Sequence, residues 1–197
     1  MTGEGAARAE VDRPAAGEPA FLLVLTHGAG SNPDSPDLLA VADAALGLGG
    51  AVARVTQPYR VKGRRAPGSP ARQDAAWAEV ITALRAAVGA SLPLIQGGRS
   101  NGARVACRTA RAAGARGVIA LAFPLHPPRR PEVSRVPELR AAGVPVLVIN
   151  GQRDPFGVPD ATDATCVHVL PREGHDLSKA PSVVGEVAAD WLRRWTT

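Results

Sequence analysis

Short runs of consecutive apolar residues alternate along this chain with longer stretches in which apolar positions recur every third or fourth residue. Phe21–Leu25 is apolar throughout, the pattern of a strand covered on both faces rather than one with a solvated side. Comparable runs occupy Ala51–Val55, Leu92–Ile95, Val118–Phe123, Val144–Ile149 and Cys166–Leu170. Between them, Trp77, Ile81, Leu84 and Val88 share one helix face within 74–90, with Asp74 placed as its N-cap. Val184, Val187, Trp191 and Trp195 repeat the pattern behind Pro181, and shorter helices are expected at 101–113 and 136–142. This alternation predicts an α/β fold: a mostly parallel sheet of about six or seven strands with helices on both faces.

At 197 residues the chain has the size of one domain. Residues 1–19 are acidic and small, without the apolar core of a secretory signal. They are expected to form a flexible N-terminal tail, with a short edge strand near Ala9–Val11, ahead of a single domain over 20–197. No apolar run approaches the length of a membrane span. Two cysteines, Cys107 and Cys166, are too few for a disulfide scaffold and lack metal-ligand spacing. A cytoplasmic protein without metal or cofactor is expected. The net charge is +5, but the basic residues are scattered, and the three Trp, three Phe and one Tyr fall on helix faces and core runs. Nucleic acid and membrane are therefore not expected partners, whereas a homodimer is left open.

Ligands of such sheets bind beyond the carboxyl ends of the strands, which directs attention to the residues after each run. The Leu92–Ile95 run leads into Gly98-Arg99-Ser100-Asn101-Gly102 and then a helical stretch. A serine held on a tight strand–turn–helix corner projects its hydroxyl at the sheet edge, and glycines flank it because a Cβ there would meet neighbouring chain. After Val144–Ile149 comes Asp154, and after Cys166–Leu170 comes His175. A serine hydroxyl needs a base to take its proton, and the base needs a carboxylate to fix its tautomer. Asp160, Asp163 and Asp176 are the competing acids. The first run ends in His27-Gly28-Ala29-Gly30, a small loop whose backbone N–H groups can approach a developing oxyanion. The donors assigned are the backbones of Ala29 (or Gly30) and Asn101, with His27 bracing the loop. Neither a dinucleotide fingerprint nor a Gly-Lys-Ser/Thr loop follows.

With Ser100, Asp154 and His175 in this order, the sequence resembles the α/β-hydrolase superfamily. More narrowly it is similar to the small, lid-poor, dienelactone-hydrolase-like branch that includes the KANL/Tex-type predicted hydrolases. The matching stretches are His27–Gly30, Pro58–Arg60 with Gly63–Pro67, Gly97–Ser100, Phe123–Pro128 and Gly151–Gly157, collinear over roughly 20–195. Asn101 and Ala103 depart from the more usual apolar residue and glycine at their positions. The resemblance implies an α/β-hydrolase fold with Ser100 as nucleophile, Asp154 as acid and His175 as base.

Only Pro124 to Pro145 lies between two strand runs where this fold usually inserts a lid, so a minimal cap or none is expected. Gly30, Tyr59, Arg64, Leu125 and His126 are the expected substrate contacts, with Arg64 and its neighbours suited to an anionic group. The activity expected is serine-dependent cleavage of a small carboxylic ester or thioester. The alternative is a non-catalytic binding or scaffold subunit of the same fold.

Overall fold

The computed structural model describes residues 1–196; Thr197, the last residue of the expected domain, lies outside them. Seven strands, β1 (Arg8–Asp12), β2 (Leu22–Thr26), β3 (Ala51–Thr56), β4 (Leu94–Arg99), β5 (Ala115–Leu121), β6 (Val146–Gly151) and β7 (Cys166–Leu170), form one sheet. Its order is β1-β3-β2-β4-β5-β6-β7, and every pairing is parallel except that of β1 with β3. The helices are α1 (Pro36–Gly47), α2 (Pro58–Val61), α3 (Pro70–Val88), α4 (Asn101–Thr109), α5 (Val136–Arg140) and α6 (Pro181–Thr196).

The uninterrupted apolar runs are explained by two cores, one on each face. Along β2, Leu22 and Val24 pack with Trp77, Ile81 and Leu84 of α3, whereas Leu23 and Leu25 pack with Leu38 of α1 and Val184, Leu192 and Trp195 of α6. Successive strand residues point to opposite faces, so burying both faces requires an apolar residue at every position. The strand order puts β2, β4, β5 and β6 in the middle of the sheet, and the turns that leave their carboxyl ends carry the residues of interest.

Two helices differ from their expected bounds. The helix expected from Asp74 begins four residues earlier, because Pro70 has the backbone angle of a first helical residue and needs no N–H partner. Ser69 takes the N-cap position, and the Asp74 carboxylate instead binds Arg108, 2.6 Å away. The helix expected over 101–113 stops at Thr109, with residues 110–114 in turns. The edge strand expected near Ala9–Val11 is β1, whose Glu10 and Asp12 bind Arg54 of β3 at 3.0 and 3.4 Å. Charged side chains on an edge strand also discourage pairing with another chain. Between β5 and β6, α5 is a five-residue helix and no cap layer is built. Among the described residues, no helix is long and apolar enough to cross a membrane.

Candidate active site

Ser100 occupies the corner between β4 and α4 with φ 54° and ψ −112°, a conformation unfavourable for a residue with a side chain. Its N–H is held by the Leu121 carbonyl at 2.8 Å. A Cβ on Gly98 would lie 2.6 Å from the Gly102 carbonyl carbon and 2.7 Å from the Thr26 oxygen, and one on Gly102 would lie 2.5 Å from that same oxygen. The glycines at these two places are therefore what lets α4 start directly against the end of β2. The strained turn follows from this close approach.

The structure brings together three side chains that are far apart in sequence. The Ser100 hydroxyl lies 2.9 Å from His175 Nε2, and His175 Nδ1 lies 2.8 Å from Asp154 Oδ2. Since the carboxylate can only accept, Nδ1 carries the proton and Nε2 presents its lone pair to the serine. Asp154 is fully enclosed and His175 one-fifth exposed in their side chains. The Asp154 carboxylate also accepts bonds from the Phe156 N–H at 2.8 Å and the Asn150 amide at 3.2 Å. Two of the competing acids are engaged elsewhere, and Asp160 is exposed. Asp163 binds Arg140 and the Asp160 N–H, and Asp176 accepts from Ser178.

Residues 19–182 match the family described as alpha/beta hydrolase domain. The chain belongs to that family. No curated protein matches it in sequence. Among solved structures it is similar to an alpha-beta serine hydrolase homologue from Coxiella burnetii, 16% identical, with a TM-score of 0.80 over 98% of this chain and 94% of that one. A serine hydrolase described as lacking a lid, from Xanthomonas campestris, is 20% identical, with a TM-score of 0.78 over 99% and 93%. A dienelactone hydrolase from Anabaena variabilis is 19% identical, with a TM-score of 0.75 over 98% and 94%. At these identities the likeness establishes the shared alpha/beta hydrolase fold.

In this hydrolase fold the loop after β2 lies directly over the serine. A Cβ on Gly28 would come within 3.2 Å of the Ser100 Cβ, and Gly30 has φ +81°, which favours glycine. Ala29 and Gly30 are exposed at the mouth of the site. Asn101 is the first residue of α4, so its N–H has no partner within the helix and joins the positive end of the helix dipole. The backbone groups of Ala29 and Asn101 are thus positioned on two elements that meet at Ser100. His27 is completely buried beneath this loop; its Nδ1–H donates to the Gly28 carbonyl at 2.8 Å while Nε2 accepts the Gln57 N–H at 3.1 Å. Burial lowers its pKa; the Gly28 bond opposes this and the Arg60 charge reinforces it. A neutral, doubly bonded imidazole suits a brace.

The expected substrate contacts divide into two groups. Leu125 and His126 reach the site through Phe156: the Leu125 N–H donates to the Phe156 carbonyl at 2.9 Å, and the His126 and Phe156 rings are 6.3 Å apart. The Phe156 ring in turn meets the His175 imidazole edge-on at 4.5 Å. Tyr59 and Arg64 are not brought to the serine. They line a separate cavity of about 60 Å³ with Gln57, Gln73 and Trp77. Tyr59 is turned inward by the short α2, its ring 5.7 Å from His27, and burial pushes its hydroxyl up to about 12. Sequence reasoning missed Asn150, which also accepts the Phe123 N–H at 2.7 Å. The signal in the sequence is an amide residue directly after the apolar run Val144–Ile149.

Proposed function

We propose that this alpha/beta hydrolase is a serine esterase or thioesterase that cleaves a small carboxylic ester or thioester through an acyl-enzyme. The observation that carries the reading is the unbroken hydrogen-bonded chain from Ser100 through His175 to Asp154. Ser100 Oγ attacks the substrate carbonyl carbon as its proton passes to His175 Nε2, and Asp154 stabilises the resulting imidazolium. The carbonyl oxygen becomes an oxyanion facing the N–H groups of Ala29 and Asn101. Collapse of this intermediate breaks the bond to the alcohol or thiol, which leaves with the proton from His175. Water then repeats the sequence on the acyl-enzyme, releasing a carboxylic acid and returning the proton to Ser100.

The cap-free segment between β5 and β6 supports a substrate that is short or extended, since nothing there encloses a long acyl chain. Leu125, His126 and Gly30 are the contacts proposed for it. The dienelactone hydrolase relative, whose name denotes a lactone substrate, supports the same bond class. Both cysteines are free, which suits a reducing cytoplasm. The test is turnover of p-nitrophenyl acetate and butyrate and of short acyl-CoA thioesters by the native chain and by Ser100→Ala. Loss of at least about 10³-fold in kcat in the variant is expected for at least one substrate. Equal turnover by both proteins overturns Ser100 as the nucleophile, and none by either overturns the reading in favour of a non-catalytic subunit.

A further inference from the structure

We propose that Arg99 and Asp37 form a positioning pair that holds the backbone of His175 in register with Ser100; this rests on the serine-hydrolase reading above. Arg99 is the residue immediately before the serine, at the carboxyl end of β4. Its Nη2 donates to the His175 carbonyl at 2.8 Å, and its Nε lies 3.1 Å from Asp37 Oδ2. The Asp37 side chain is completely buried in the first turn of α1, and that of Arg99 is 13% exposed. One guanidinium therefore joins three segments: α1, the serine corner and the loop between β7 and α6.

The imidazole of His175 is oriented by Asp154, but that bond fixes the ring and leaves the loop backbone to other restraints. Arg99 supplies such a restraint from the residue covalently attached to Ser100. Any movement of the loop away from the serine must break the carbonyl bond or drag the guanidinium from its carboxylate. Burial, the dominant influence on Asp37, favours its neutral form, and the Ser35 hydroxyl and then the Arg99 charge oppose this. The two charges thus depend on one another in the interior, where losing either partner strands the other. A displacement of about 1 Å between reacting groups can cost on the order of 10²-fold in rate, so a restraint of this kind matters without touching substrate.

The test compares Arg99→Gln, Arg99→Lys and Asp37→Asn with the native chain in two measurements. In steady-state kinetics on p-nitrophenyl butyrate, Arg99→Gln is expected to lower kcat by roughly 10- to 100-fold with KM within about two-fold, because binding is untouched and only the attack geometry is lost. Arg99→Lys is expected to recover part of the loss, since an ammonium keeps the charge that faces Asp37. In nitrogen NMR of the His175 ring, the native chain is expected to show a single Nδ1-protonated form. Arg99→Gln and Asp37→Asn are expected to shift or broaden it. An Arg99→Gln protein that folds and keeps kcat within about two-fold overturns the proposal, as do unchanged His175 ring signals in the folded variants. The NMR measurement requires no turnover, so it decides the positioning role even if the native chain hydrolyses no ester.

Discussion

Replacing Asn150 with Ala removes an amide that connects the sheet to the acid of the site. Its Oδ1 accepts the Phe123 N–H at 2.7 Å, and its Nδ2 donates to Asp154 Oδ2 and to the Gly157 carbonyl, both at 3.2 Å. The residue is fully buried, so water does not replace these partners. Stranding a buried N–H costs about 1–3 kcal/mol, and the two weaker bonds add about 1 kcal/mol together, giving a loss of about 2–4 kcal/mol. For a chain of this size each kcal/mol moves Tm by about 2–4 °C, so a fall of about 5–15 °C is expected in thermal unfolding followed by circular dichroism. Activity should drop as well, because Asp154 keeps the Phe156 N–H on one oxygen but loses a donor on the oxygen facing His175. Asn150→Asp sharpens the point: it has the same shape but places a second carboxylate against Asp154, where two like charges cannot both ionise freely. A Tm change under about 2 °C in Asn150→Ala, with kcat on p-nitrophenyl butyrate unaltered, refutes the argument.

Two further outcomes follow from the same packing. His27 has a lowered folded pKa, so between that value and the ordinary 6.5 the unfolded chain binds the additional proton; stability therefore falls as pH drops below 6.5, by at most about 1.4 kcal/mol per pH unit. His27→Gln should flatten the Tm profile between pH 7 and 5, and an unchanged slope contradicts the neutral-brace assignment. Gly98→Ala should cost more than about 3 kcal/mol or abolish soluble expression, because its Cβ would press on the backbone of Gly102 and Thr26. Gly47→Ala, where nothing lies within 4 Å of the new atom, should change Tm by little, and equal effects at the two positions contradict the close-approach reading.

The central strands were legible because burial on two faces leaves an unbroken apolar run, as in Phe21–Leu25, and Trp77, Ile81 and Leu84 mark α3 by helical spacing. The first helix was not: its buried Leu38, Val41, Ala42 and Ala45 sit in a stretch so rich in alanine that its two faces hardly differ. Asp74 illustrates a second limit, since a residue type that favours caps was claimed by an ion pair with Arg108 from another helix. At the site, Ser100, Asp154 and His175 could be placed because each follows a recognisable strand. Tyr59 and Arg64 also follow a strand, yet α2 and the turn after it set them on another cavity, and a four-residue helix leaves no periodic trace. Arg99 and Asp37 touch across the fold, a pairing that local pattern does not encode.

Whether His175 activates Ser100 is decided by intact-mass and peptide mapping after exposure to a fluorophosphonate, which phosphonylates a serine only when its hydroxyl is activated. One adduct per chain is expected, on Ser100, strongly slowed in His175→Ala and absent in Ser100→Ala. A folded native chain that stays unmodified, or one modified at Ser100 equally fast without the imidazole, contradicts it.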